Sequence, residues 1–354
     1  MSILDLREKT WQQFLDFAWR QWAQVGVSAS TTNTDSWVID PEALILFTIE
    51  IARRDPRLFD EVLDWLAHNR RLLTMQRLWN LGARFPIDAR LVGAAIAWAG
   101  ESVPARWPKR LQSENRPTGN VLVFDSSILG FIAEPDPTFA AYGYSRPQVV
   151  RSGKSREPDV KLPANFAFQL RHLFGPGSRS EVMRILLTFR DGPLDAARIS
   201  AEAAFAKRNI SDTLAGLVAS RVIKARWSRN ERQYIAYRDK WARLLEVGPT
   251  AEHMPVFVSW VHLFPACLEI IAWLDSMTNT EDTDYLIASQ ARDLMERVAP
   301  NLEIIGLDVS PKRSVRGAAY LPVFEDAVES ILATLAGGRG SDPLSLLSTS
   351  CNLH

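Results

Sequence analysis

Residues 206–237 read "AKRNISDTLAGLVASRVIKARWSRNERQYIAY" and switch within a short span from helical to alternating periodicity. Ile210, Leu214, Leu217 and Val218 recur at the spacing of one buried helical face. Beyond them, "VIKARW" and "QYIAY" alternate apolar with polar residues on either side of "SRNER", the pattern of a two-stranded hairpin. The helix begins against the usual rule. The backbone dipole leaves partial positive charge at a helix start and favours acidic residues there, yet Lys207, Arg208 and Asn209 fill this first turn.

Working upstream, Ser178 or Ser180 is placed to cap a helix whose Val182, Ile185, Leu186 and Phe189 form one stripe. Asp191-Gly192-Pro193 stops it. A short second helix over 195–203 buries Ala197, Ile199 and Ala203, and a tight turn at 204–206 leads into the cationic helix. Downstream of the hairpin, "KWARLL" predicts one more helix.

Helix, helix, turn, helix, hairpin, helix is the element order of a winged helix-turn-helix. On that pattern residues 178–245 resemble the winged-helix modules of bacterial transcriptional regulators of the MarR-like and ArsR-like kind. The resemblance implies binding to double-stranded DNA, with the third helix in the major groove and the hairpin along the phosphate backbone. Proteins of this type read base edges with the first residues of the recognition helix, here Lys207, Arg208, Asn209, Ser211 and Asp212. Arg208 and Asn209 carry the chemistry for bidentate contacts to guanine and adenine, while Lys207 and Ser211 suit phosphate. In the wing, Arg226, Arg229, Asn230 and Arg232 are candidate backbone contacts, and Arg179 and Arg198 are candidate clamps outside it.

Charge supports a basic module inside a neutral chain. The 354 residues carry 41 basic and 41 acidic side chains, but 145–247 hold 20 basic against 10 acidic, so the remainder is acidic by the same margin. Such segregation is the footprint of a polyanion-binding segment; a solvated basic face, or a winged helix that docks protein, is the alternative.

The flanking regions read as helical. "TWQQFLDFAWRQW" has an aromatic face with Thr10 as its cap, and Asp40-Pro41 and Asp55-Pro56 are two helix-start signals in which proline's missing N–H costs nothing. Thr74 is placed to cap "MQRLWNLG", in which Gln76, Arg77 and Asn80 raise a second groove-reading helix as the alternative to a plain helical core. Prolines punctuate 101–175, which reads as a connector with a short strand at "NVLVF". After about 250 the chain is helical again, with a kink expected at Pro265. The expected organisation is therefore mostly α: an N-terminal helical domain (1–100), a proline-rich connector (101–175), the central winged helix (176–247), a C-terminal helical domain (250–336) and a flexible tail (337–354).

Other chemistries find little footing. The five histidines lack ligand spacing, and His253, His262 and Cys267 match no closed zinc pattern. Neither a phosphate-binding glycine loop nor a nucleophile–base pair is visible, so neither an enzyme nor a cofactor is expected. Two cysteines and the lack of a membrane-length apolar run fit a cytoplasmic protein. The expectation is a DNA-binding transcriptional regulator acting as a homodimer on double-stranded DNA. The alternative is a protein-interaction or antitoxin-like component, in which the winged helix is auxiliary and a protein partner is the main target.

Overall fold

The computed structural model describes residues 2–29, 36–103, 121–125, 132–228, 231–277, 283–311 and 314–337. These form fourteen α-helices and five short strands, so the chain is mostly helical. Two compact units divide it: 20–258, and a second unit that joins 1–19 to 259–354. Helix α1 (Ile3–Gln24) contributes residues to both. The arginine and asparagine positions at 229–230 and the tail from 338 onward lie outside the described residues.

The larger unit opens with helices whose starts are set locally. Asp40 caps α2 (Pro41–Ile51) by accepting the Ala43 N–H at 3.2 Å, and Asp55 caps α3 (Pro56–Asn69) by accepting that of Leu58 at 3.0 Å. Helices α4 (Met75–Gly82) and α5 (Ala89–Trp98) follow. The parallel pair β1 (Val121–Leu122) and β2 (Tyr144–Ser145) places a strand within "NVLVF", and α6 (Pro137–Ala141) lies between its two strands in the chain. Helix α7 (Phe166–Phe174) falls in the stretch read as a connector, but it is not one. Phe166, Ala167 and Leu170 are buried in the same apolar core as Val182, Ile185, Leu214 and Tyr234.

That core is organised around α8 (Ser178–Thr188), which is buried from Ser180 to its end. The N-cap is Gly177, whereas Ser180 bonds back to the Gly177 carbonyl at 2.9 Å. Strand β3 (Leu194–Asp195) leads into α9 (Ala196–Ala203), which Asp195 caps at the Arg198 N–H, 2.8 Å away. Ala204 takes the left-handed conformation at φ 54°, turning the chain into α10 (Lys207–Ala219). Strands β4 (Ile223–Ser228) and β5 (Glu231–Ala236) form the antiparallel hairpin, and β3 pairs with β5, giving a three-stranded sheet in the order β3-β5-β4. Helix α11 (Arg238–Leu244) follows.

A buried ion network ties these pieces together. Arg77 on α4 forms a bidentate pair with Asp40 at 2.5 Å on both arms and reaches Glu42 at 2.8 Å. Arg171 on α7 grips both oxygens of Glu42, at 2.7 and 2.8 Å, and Glu181 at 2.7 Å. Arg184 on α8 pairs with Glu181 at 2.9 Å and approaches Asp40 at 3.4 Å. All six side chains are buried, and the three guanidinium groups balance the three carboxylates. Desolvation by itself would raise the Asp40 and Glu181 carboxyls; instead Arg77 and Arg184 hold both below the usual carboxylate range.

Arg77 and its neighbours also cap α9. The Arg77 Nε donates to the Ala203 carbonyl at 2.9 Å, Asn80 donates to that of Ala204 at 2.9 Å, and Arg84 to that of Ala201 at 3.1 Å. Side chains of α4 and the turn after it thus meet the orphan carbonyls and the negative dipole end of α9. This placement takes Arg77 out of any groove-reading role, since it is fully buried; Asn80 is engaged with Ala204, and exposed Gln76 bonds to Asn80 at 2.8 Å.

In the second unit, α12 (Trp260–Ser276) runs uninterrupted through Pro265 and is joined by α13 (Asp284–Ile304) and α14 (Tyr320–Ala336). Phe17 of α1 meets Trp260 and Phe264, and the Trp11 indole donates to Asp275 at 2.9 Å. Thr10 is not a cap. The helix already begins at Ile3, and the Thr10 hydroxyl donates back to the Leu6 carbonyl at 2.7 Å.

The network makes two outcomes checkable by urea unfolding. Arg77→Ala leaves Asp40 and Glu42 buried with a guanidinium removed, and should cost about 3–5 kcal/mol. Because Asp40 and Glu181 titrate lower in the folded chain than unfolded, their stabilisation is complete above the unfolded values of 3.8 and 4.5 and declines as pH falls below them. Partly buried Glu50 and Asp60, raised by desolvation, act in the opposite sense, so the diagnostic is a comparison: Glu181→Gln should flatten the acid limb of the stability curve relative to the wild type.

Candidate nucleic-acid interface

Helix α10 is half built for the core and half left outside it. Ile210, Leu214 and Leu217 are buried against α8 and the sheet, while Lys207, Arg208, Asn209, Ser211 and Asp212 are all exposed. The helix has Ala206 at its N-cap, so no side chain caps the first-turn amides, and no acidic residue offsets the cations there. Among the described residues, neither Lys207 nor Arg208 has a carboxylate within ion-pair distance. The N-terminus of α10 therefore presents open N–H groups, the positive dipole end and two cations on one turn, a combination suited to an anion.

Farther along, the outward face becomes small. Ala215, Gly216 and Ala219 are exposed, and a Cβ added at Gly216 would meet nothing within 4 Å. A helix with short outward side chains approaches a concave surface closely, and the major groove of duplex DNA, roughly 12 Å wide, admits one.

In the hairpin, Arg226 and Arg232 are exposed, and the Arg232 guanidinium lies over the Tyr234 ring at 5.7 Å. Arg229 and Asn230 lie outside the described residues. Arg179 is exposed at the start of α8, next to Ser178, whose hydroxyl bonds to Thr213 on α10 at 2.8 Å. Arg198 is only partly exposed and pairs with the buried Glu202 at 3.1 Å, so it is the weakest of the expected clamps. Two cations outside the expected set flank Tyr237: Lys224 at 4.7 Å and Lys240 at 5.0 Å from the ring centroid. Lys224 is legible as a polar position in the alternation of β4.

Not every cation of the basic segment belongs to a surface. Arg146, Arg171 and Arg184 are buried, Arg146 against Phe59, Phe124 and Phe139 and paired with Asp60. Arg190 and Arg238 are spent on backbone carbonyls of Met254 and Leu187, at 3.1 and 2.9 Å. Burial, with Arg190 nearby, pulls the Arg238 guanidinium below its ordinary value. The exposed basic positions are thus densest on 207–243, where the sequence, with Arg238 set aside, places nine basic against three acidic residues, Arg229 among them outside the described residues.

His253 and His262 hydrogen-bond Thr250 and Asn301, at 3.1 and 3.0 Å, and Cys267 is buried with its thiol pushed up by desolvation. Among the described residues no group of histidine, cysteine and carboxylate side chains is arranged to hold a metal, and no helix is long and apolar enough to cross a membrane. Compared with known proteins, the chain matches no family model, no curated protein and no solved structure.

If the first turn of α10 is set up for an anion, it is unfavourable without one. Lys207→Glu should raise the thermal midpoint of the protein alone, because it places an acidic side chain at the positive dipole end. An unchanged or lowered midpoint would show that Lys207 already serves the fold.

Proposed function

We propose that the chain is a sequence-specific, double-stranded-DNA-binding regulator of transcription, with 176–247 acting as a winged helix-turn-helix. The observation that carries this reading is the exposed, uncapped, cationic first turn of α10, followed by an outward face of small residues. On this reading α10 is the recognition helix. Arg208 and Asn209 face base edges, Lys207 and Ser211 meet phosphate, and Asp212 sits where a cytosine amino group would be accepted. Arg226 and Arg232 hold the backbone from the hairpin, and Arg179 does so from the start of α8. The fixed relation of α9 to α10, set by Arg77, Asn80 and Arg84, gives the recognition helix one presentation.

A two-fold dimer on paired half-sites completes the proposal, since such duplex readers mirror their own symmetry in the operator. Binding, not catalysis, is the activity proposed, in the cytoplasm and without a cofactor. A second reading, a protein-interaction or antitoxin-like component, draws on one observation. Leu173 and Leu244 are 54% and 67% exposed at the ends of α7 and α11, two helices joined by the Gln169–Leu245 bond at 2.9 Å and the Phe174–Trp241 ring contact. Exposed apolar residues on two contacting helices suit a protein surface.

Titration of duplex DNA over a range of salt concentrations tests the main reading. Affinity should fall steeply with salt, because phosphate contacts release counterions. Arg208→Ala should cost about 1–3 kcal/mol on a selected site and relax preference at one base pair, whereas Arg232→Ala should weaken selected and random duplexes alike and flatten the salt slope. No binding at low salt would sink the proposal, and identical behaviour of the two variants on selected and random duplexes would remove the division of roles.

A further inference from the structure

The hairpin carries one feature that phosphate binding does not use. In the β4–β5 register, Ile223 faces Ala236, Ala225 faces Tyr234 and Trp227 faces Arg232, so these three pairs share one face of the ribbon. The first two pairs belong to the core: Ile223, Tyr234 and Ala236 are buried and Ala225 packs against them. The core then ends, and Trp227 on the same face is 75% exposed. It stands one pair inside the end of the ladder, where Ser228 faces Glu231. The opposite face carries Lys224 with Ile235 and Arg226 with Gln233.

Trp227 is therefore a large flat apolar group projecting near the tip of a cationic ribbon. Its cross-strand partner is Arg232, whose guanidinium rests over Tyr234, and its chain neighbour Arg226 points to the other face. A protein partner would be expected to find further apolar side chains around such an anchor. The surroundings here are Arg226, Ser228, Glu231, Arg232 and Gln233. A flat apolar group beside one arginine, with a second on the other face of the same ribbon, fits a ligand that combines flat apolar faces with regularly spaced negative charge, which describes stacked bases on a phosphodiester backbone.

We propose that Trp227 is a wedge: on binding, its indole enters the duplex at a deformable pyrimidine–purine step and stacks on the pyrimidine, leaving the purine without its stacked neighbour, while Arg226 and Arg232 hold the phosphates on either side. This rests on the DNA-binding reading and extends it from phosphate contact to base unstacking. Apolar side chains inserted in this way open a step and kink the helix, and pyrimidine–purine steps yield most readily. The hairpin then contributes specificity through deformability, at positions α10 does not touch.

The experiment uses the full chain and a short mixed-sequence duplex carrying 2-aminopurine at its T–A steps, whose emission rises when the base is unstacked. The wild type should bind with a rise in emission. Trp227→Ala should abolish that rise and weaken binding by about 5- to 150-fold, the range for losing one base–aromatic stack, with an unchanged salt slope. Trp227→Phe should retain part of both signals. The residue is exposed, so the unfolding midpoint of each variant should match the wild type and exclude misfolding as the cause. A duplex bound equally well by Trp227→Ala, with the same emission rise, overturns the wedge and leaves the DNA reading intact. Tighter binding to the corresponding single strand than to the duplex also overturns it. Failure of the wild type to bind the duplex at low salt overturns both.

Discussion

The larger unit depends on one interaction: six ionised side chains, three arginines and three carboxylates, sealed from water with their charges balanced. Taking such groups out of water costs several kcal/mol each, to an order of magnitude, and the cost is recovered only when the geometry is good and the remaining hydrogen-bonding capacity is met. Here it is largely met. Asp40 caps α2 while pairing with Arg77, Glu42 accepts the Thr74 N–H at 2.7 Å as well as both arms of Arg171, and Arg171 also reaches the Leu72 carbonyl at 2.8 Å. An apolar cluster tolerates small slips in packing, whereas this network requires α2, α4, α7 and α8 to meet in one arrangement.

The same arginine links that arrangement to the candidate interface. Arg77 uses its two terminal nitrogens on carboxylates and its Nε on the carbonyl of Ala203, the last residue of α9. One turn later the chain enters α10. The left-handed Ala204, the carbonyls held by Asn80 and Arg84, and the buried Ile210 and Leu214 then fix where the exposed first turn of α10 projects. Stability spent inside the unit becomes preorganisation at its surface, and preorganised groups lose less on binding. The cations of that turn gain nothing from the helix they start, and on the proposed function their gain comes from the ligand.

Features governed by neighbours in the chain were legible in the sequence. Asp40-Pro41 and Asp55-Pro56 start their helices, and the alternation around "SRNER" marks the hairpin. Features governed by distant partners were not. Arg77, Arg171 and Arg184 look like surface charge, because their carboxylates lie on other elements, 10 to 144 positions away, apart from Glu181, one turn before Arg184 on the same helix. α7 was hidden among prolines because its helix is decided by burial in a core assembled from later residues. At Thr10 a residue type suited to capping lies inside a longer helix, and its hydroxyl turns back on the preceding turn. In the candidate interface, the exposed cations of α10 and β4 were readable from helical and strand phase. The exposure of Trp227 was not, since alternation assigns it to the apolar face and only the structure shows the core ending before it.

On the proposed function, the first turn of α10 faces DNA. A photo-crosslinking amino acid placed at position 208 of the full chain, activated in living cells, probes that contact. Covalent capture of DNA is expected, with recovered fragments restricted to a family of related sequences arranged as paired half-sites. Capture of protein alone from that position would overturn the DNA-binding reading.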